Sequence, residues 1–259
     1  MADVERIRAN LERVRSRIGP DVEICAATKY ISVDELPALA EAGITLVGEN
    51  RAQDLLAKQA AHGELFDWDF IGVLQSRKVR DVAPAVRLIH SVSSASALEM
   101  LERHPAREIL IQVNVAEEPS KAGIAPDELP EYLARSPVPV TGLMAMPPAA
   151  ERPEDSRPHF RRLAELASEL GLERLSMGTS QDYEVAVEEG ATIVRLGSVL
   201  YVCAGSAARS RRRNLRLRGP LATAAASAVT AAASPATRGR DTNRPSANAD
   251  SAAIAAPTP

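Results

Sequence analysis

Glu23-Ile24-Cys25-Ala26-Ala27-Thr28-Lys29-Tyr30 is the stretch on which the fold turns. It opens as a short apolar run, of the kind buried on both faces in a parallel sheet. It then passes directly into Thr28-Lys29-Tyr30 with no glycine. An open doubly wound sheet normally carries a glycine-rich turn after its first strand. The absence of that turn favours a closed (β/α)8 barrel over the open sheet.

Seven more runs of the same kind follow: Thr45–Gly48, Asp69–Gly72, Leu88–Val92, Ile109–Val115, Val140–Met144, Arg174–Met177 and Thr192–Leu196. Helical patterns separate them, at Asp34–Ala42, Arg51–Ala61, Ser76–Ala83, Ser94–Arg103, Asp127–Arg135, Arg157–Leu170 and Tyr183–Glu189. Glycines 43, 63, 171 and 190 punctuate several of the helix ends, and Pro126 sits near a first turn, where a missing N–H costs little. An extra amphipathic helix is expected over about Asp3–Arg17. Eight strand–helix units in some 200 residues lie at the small end for such a barrel.

The chain divides near Cys203. Residues 204–259 hold 18 Ala, nine Arg, two Asp and no Phe, Trp or Tyr, a net charge of +7. Such a segment can bury little surface against its ordering entropy, so a disordered low-complexity tail is expected there. Its Arg209–Arg218 cluster is read as a solvated charge run. Residues 1–203, the expected barrel domain, hold 22 basic and 32 acidic residues, a net −10. That argues against a nucleic-acid surface on the barrel. Two cysteines exclude a disulfide framework, and the four histidines (62, 90, 104, 159) show no metal-ligand spacing. No apolar run reaches 18 residues, and the charged N-terminus lacks an apolar signal region. A cytoplasmic protein with no membrane association is expected.

Barrel chemistry gathers at the C-terminal ends of the strands. Polar residues recur there: Lys29, Glu49-Asn50-Arg51, Gln75-Ser76, His90-Ser91, Gln112 and Asn114, Ser176 to Ser180, and Arg195 to Ser198. A lysine ending a buried strand either snorkels or is reactive. Among apolar barrel residues an amine is desolvated, and its neutral form can condense with a carbonyl ligand. Met177-Gly178-Thr179-Ser180 and Arg195-Leu196-Gly197-Ser198 would neighbour each other at the closing seam, where phosphate is commonly held. Both loops offer a glycine, a hydroxyl and N–H groups for an anion. Two ordinary turns would read the same way. A carbonyl-seeking lysine facing a phosphate site suits a ligand with both groups on one rigid body, such as pyridoxal 5′-phosphate (PLP). Asn50 reads equally as a helix cap or a ligand contact, and His90 more readily as a core histidine. Cys25, Trp68 and Phe70 read as core.

Over roughly Val4–Tyr201 the chain resembles the pyridoxal-phosphate homeostasis family. The resemblance rests on Ala27-Thr28-Lys29, Val47 to Gln53, Phe70 to Lys78, His90-Ser91-Val92, Ile111 to Val115, Gly142-Leu143-Met144, Ser176 to Asp182 and Val194 to Ser198. It implies a single barrel like the N-terminal domain of alanine racemase. It implies a cofactor held as an internal aldimine on Lys29, with Asn50, His90 and Met177 in the site. Ser180, Gly197 and Ser198 would then bind phosphate, and Arg195 would lie beside the pyridine nitrogen. A cation there disfavours ring protonation and so weakens the ring as an electron sink. The family is regarded as having no catalytic activity of its own and as balancing the B6 vitamer pool. Apo forms of PLP-dependent enzymes are the implied partners, and a monomer is expected. The chain departs from the family at Tyr30, beside the lysine, and in the tail after Val202-Cys203. A PLP-dependent racemase-like enzyme is the alternative, and a cofactor-free aldolase using Lys29 a weaker one.

Overall fold

Eight short strands pair in parallel, each with the next and the last with the first, in the order β1 to β8 around a closed barrel. They are β1 (Glu23–Ala27), β2 (Leu46–Glu49), β3 (Asp67–Phe70), β4 (Leu88–Val92), β5 (Ile109–Gln112), β6 (Val140–Met144), β7 (Arg174–Thr179) and β8 (Ile193–Leu196). Closure is made by β1 against β8, with Cys25 opposite Arg195 and Ala26 opposite Leu196. This computed structural model describes residues 3–118 and 122–201. Cys203 and the tail expected over 204–259 lie outside those residues. Among the described residues no helix is long and apolar enough to cross a membrane.

The outer ring holds α2 (Leu36–Glu41), α3 (Ala52–His62), α4 (Val79–Val82), α5 (Ala95–Arg103), α6 (Leu129–Arg135), α7 (Arg157–Glu169) and α8 (Tyr183–Glu188). The expected N-terminal helix spans Val4–Ile18 and is α1 in chain order. Asp3 caps it by accepting from Arg6 N at 3.1 Å, and Gly19, at φ +80°, ends it. Its buried face is Ile7, Asn10, Val14 and Ile18. Asn10 Nδ2 donates to Leu200 O at 2.9 Å, which ties α1 to the short helix α9 (Ser198–Tyr201) after the last strand.

Several strand ends differ from the expectation, each for a physical reason. The third strand spans Asp67–Phe70, two residues earlier than its apolar reading. Its pairing with β2 begins at Leu46 opposite Asp67, an exposed acid that the apolar reading leaves out, and its third residue is a fully buried carboxylate, Asp69. The fifth strand stops at Gln112 rather than Val115. Asn114 N donates to Ile124 O, and Ile124 N donates to Gln112 O, both at 2.9 Å, so the chain there pairs with its own returning loop. The expected helix over Ser76–Ala83 is broken into 3₁₀ turns flanking α4.

Alternating side chains divide each strand between two cores. The larger core lies between sheet and helices and contains Val47, Trp68, Phe70, Ile89, Ile111, Leu175 and Met177 among many others. The smaller fills the barrel interior with Cys25, Leu46, Leu88, Leu110, Met144 and Ile193. Burial pushes the Cys25 thiol well up, so it stays protonated.

A polar column rises through that interior. Arg87 bridges Glu23 at 2.6 Å and grips both oxygens of Asp69, at 3.1 and 2.9 Å. The second Asp69 oxygen lies 3.0 Å from His90 Nε2, and His90 Nδ1 lies 2.7 Å from Ser176 Oγ. Burial alone would push Asp69 up, but its hydrogen bonds from His90 and Arg87 hold it below the usual carboxylate range. An ionised Asp69 only accepts, so Nε2 carries the His90 proton and Nδ1 accepts from Ser176. Burial lowers His90 from its ordinary value, outweighing the pull of Asp69. The ring is therefore neutral at pH 7.

Two tests follow from this architecture. At the seam, Ser176 opposes Ile193 and Thr179 opposes Arg195, so β7 spends one more residue than β8 there. Gly178 lies inside that bulge at φ +90°, and a Cβ on it would come within 2.6 Å of Ala186 Cβ. Gly178→Ala is expected to cost about 2 kcal/mol or more, read as a lower urea midpoint at unchanged m. The second test concerns acid. His90 is lowered in the folded chain, so the unfolded state binds the proton first. Its contribution is present above about pH 6.5 and is lost as pH falls below that, at up to about 1.4 kcal/mol per pH unit. Between pH 6.5 and 5, His90→Gln should flatten the decline in the urea midpoint. An equally steep decline in the variant would assign it to other groups.

Candidate functional site

The upper end of the column is Arg195, in the middle of the closing seam. Its side chain is 5% exposed, yet it makes no ion pair among the described residues. Instead Nη1 donates to Ser176 Oγ at 2.6 Å, and Nη2 donates to Ala145 O and Met146 Sδ, both at 2.9 Å. Burial pulls its pKa down to about 10, which still leaves it charged at neutral pH. A guanidinium has five N–H donors, so two remain for another acceptor. Leaving a buried cation without a counter-ion is costly. An electron-rich group lodged above it would offset that cost.

The two expected phosphate loops meet beside Arg195. Ser180 Oγ accepts from Gly197 N at 3.0 Å and from Val199 N at 3.3 Å. The expectation of free N–H groups is thus corrected at Gly197, because Ser180 engages it. With its lone pairs so used, the Ser180 hydroxyl can still donate. Thr179 N and Oγ1 both donate to Asp182 Oδ1, at 2.8 and 2.9 Å, and Ser156 Oγ donates to Asp182 Oδ2 at 2.9 Å. Those bonds set the turn that carries Ser180. A cleft of about 290 Å³ opens alongside, lined by Met146, Arg152, Ser156, Thr179, Gln181 and Asp182.

Lys29 lies at the mouth beside the last strand, two residues beyond the end of β1, which pairs with β8. It is exposed rather than buried, which corrects the expectation of a desolvated amine. The apolar run ends at Ala27, and Lys29 sits in a turn closed by Ile31 N donating to Thr28 O at 2.8 Å. Its ammonium lies 5.1 Å from the Tyr30 ring centroid. Tyr30 is 87% exposed, so it covers nothing in the barrel. Asn50 proves not to be a cap. Arg51 occupies the N-cap of α3, and Asn50 Oδ1 is buried without a hydrogen-bond partner. An acceptor oxygen left bare at a strand end suits a ligand contact.

Two other expected residues face elsewhere. Met177 is fully buried in the helix-facing core, because its neighbour Ser176 takes the inward position on β7. Its side chain is therefore turned from the barrel mouth. His90 points inward but spends both ring nitrogens on Asp69 and Ser176, so it supports Arg195 from below. Sequence reading missed Ser176 as the link between them. The only signal was its alternation with Met177.

The reading also missed a buried cluster under Lys29. Glu49 closes β2 and is fully buried, and Lys58 on α3 reaches it at 2.5 Å. No metal-holding group of three or more His, Cys, Asp or Glu side chains occurs among the described residues.

Residues 2–205 match the family described as alanine racemase, N-terminal domain. A pyridoxal phosphate homeostasis protein of Aquifex aeolicus is 40% identical over 220 residues, covering 76% of this chain and 96% of its own. One from Pseudomonas aeruginosa is 37% identical, covering 77% and 93%. Among solved structures, PipY of Synechococcus elongatus with PLP bound is 33% identical at a TM-score of 0.69, covering 76% of this chain and all of its own. An alanine racemase of Clostridium difficile, at 13% identity and a TM-score of 0.62, shares the fold. With a family match across most of its length and relatives at 40% and 37% identity matched nearly end to end, the chain belongs to the pyridoxal phosphate homeostasis protein family, on the alanine racemase N-terminal fold.

Proposed function

We propose that this protein binds PLP at the C-terminal mouth of its barrel and takes part in vitamin B6 homeostasis without turnover of its own. The observation that carries the reading is Arg195, a buried cation with spare donors and no ion pair among the described residues, set where the last two strands join. Bound PLP supplies an aldehyde that condenses reversibly with an amine, losing one water, and a phosphate dianion that anchors it. Lys29 is the amine on this reading, exposed at the mouth and free to reach a carbonyl. Ser180 donates its hydroxyl to the phosphate, aided by the main chain at Ser198, while Gly197, its own N–H held by Ser180, leaves room for close approach. Asn50 Oδ1, bare in the protein, accepts from a polar group of the ligand. Arg195 keeps its charge against the ring nitrogen.

That charge disfavours protonation of the ring and hence carbanion chemistry. The column beneath Arg195 makes the arrangement stiff, because Ser176 is fixed by a neutral His90 and His90 by Asp69. The reading extends to a cytoplasmic monomer that yields the cofactor to apo forms of PLP-dependent enzymes. A reversible bond to an exposed lysine supports release, since a competing amine can reach it.

Two measurements test this. Protein purified with PLP should show a visible absorbance band that borohydride removes, leaving a reduced adduct on Lys29 by peptide mapping. Lys29→Ala should lose the band and keep its unfolding free energy within about 0.5 kcal/mol, as an exposed position should. An adduct on Lys58 or Lys78 instead would overturn the assignment. The second concerns turnover. Single L-amino acids should keep their optical activity with the wild-type protein, at the level of Lys29→Ala. Arg195→Glu should raise any trace racemisation, provided PLP still binds. Sustained racemisation abolished by Lys29→Ala would instead favour the racemase-like enzyme.

A further inference from the structure

Three polar groups of one residue, Thr28, are held at once. Its N–H donates to Gly48 O at 3.1 Å, its hydroxyl to Glu49 Oε1 at 2.6 Å, and its carbonyl accepts from Lys58 Nζ at 2.8 Å and from Ile31 N at 2.8 Å. The same Lys58 ammonium lies 2.5 Å from Glu49 Oε1. Lys58 comes from the second turn of α3, Glu49 from the end of β2, and Thr28 from the peptide before Lys29. The lysine side chain is 6% exposed and the glutamate not at all.

An ion pair this deeply buried is poor evidence for stability. Desolvating both charges costs about as much as their attraction returns, and well-packed apolar residues would often do as well. This pair is also imperfect as a packing device, because Glu49 Oε2 is buried with no hydrogen-bond partner. What the pair does hold is one carbonyl, that of Thr28, at the base of the turn that presents Lys29. Lys29 is itself exposed, and Tyr30 beside it is bare. Among the described residues, the hydrogen bonds that reach this turn from other elements come from β2 and α3, through Gly48, Glu49 and Lys58.

We propose that Lys58 and Glu49 are positioning residues for Lys29. Through Thr28 they fix the direction in which the Lys29 amine enters the barrel mouth. The proposal rests on the reading of Lys29 as the covalent attachment point. Its consequence is selective. Misplacing the turn weakens a ligand that must bond to Lys29 more than one held only by the phosphate loops and Arg195.

The test compares PLP with 4′-deoxypyridoxine 5′-phosphate, which has a methyl in place of the aldehyde and cannot bond to an amine. Kd for both is measured by fluorescence titration on the full chain. In a Glu49→Gln/Lys58→Met variant, which removes both charges together, PLP binding should weaken about tenfold or more while the analogue stays within about twofold. Thr28→Val, which removes one link and leaves the ion pair, should move PLP in the same direction by less. Equal weakening of both ligands, or none, would make the pair merely structural and overturn the proposal. If the double variant does not fold, the Thr28→Val comparison decides by the same criterion. Lys29→Ala provides the control, since it should abolish the difference between the two ligands. A difference that survives in Lys29→Ala would show that the attachment point, not the positioning, was misread.

Discussion

The salt bridge between Arg87 and Asp69 is the interaction on which the functional end of this barrel depends. Asp69 has no access to water, and an unpaired carboxylate there would be untenable. Arg87 satisfies both its oxygens from below, which leaves one oxygen to receive His90 from above. That contact orders everything higher. It selects the His90 tautomer, which makes Ser176 a donor to the ring, which in turn presents the Ser176 oxygen to Arg195. The bonds are directional, so the column has one consistent arrangement of protons from Arg87 to Arg195.

Such a column is expensive in a barrel interior. Apolar side chains fill such interiors in most cases, and they do so here in the layer formed by Leu46, Leu88, Leu110 and Ile193. Polar residues replace them along one path, and that path ends at the seam where the phosphate-type loops meet. The cost is met by complete pairing up to Ser176, after which Arg195 stands without an ion pair among the described residues. An incompletely compensated charge at the end of a fully compensated chain marks the place where a ligand completes the structure. The same pattern recurs on a smaller scale under Lys29, where Glu49 is paired through one oxygen and bare at the other.

The strand–helix alternation was legible because buried parallel strands leave continuous apolar runs and helix ends leave glycines. β1, β4 and β6 carry the bounds read from sequence, since their edges coincide with changes of polarity. β3 was placed two residues late, because it opens on the exposed Asp67 while the apolar run continues past its end into Ile71-Gly72. The candidate site was legible as a set of residues at strand ends, but not as an arrangement. Met177 was assigned to the site and faces the helices instead. His90 was assigned to the ligand and serves Arg195. Gly197 N was among the N–H groups expected to face an anion, and it donates instead to Ser180 Oγ.

Periodicity and composition by themselves determined that the chain alternates strands and helices, that its first strand leads into a lysine without a glycine turn, and that two glycine- and hydroxyl-bearing segments stand at the ends of the last strands. These are local properties, set by which residues can be buried on a pleated face and which can end an element. Only the tertiary structure decided that Lys29 is exposed, that Lys58 is the buried lysine beneath it, and that Arg195 stands without an ion pair among the described residues. Burial and pairing depend on residues far apart in the chain: Ser176 meets His90 across the interior once the barrel closes, and Lys58 meets Thr28 once β2 and α3 settle against β1.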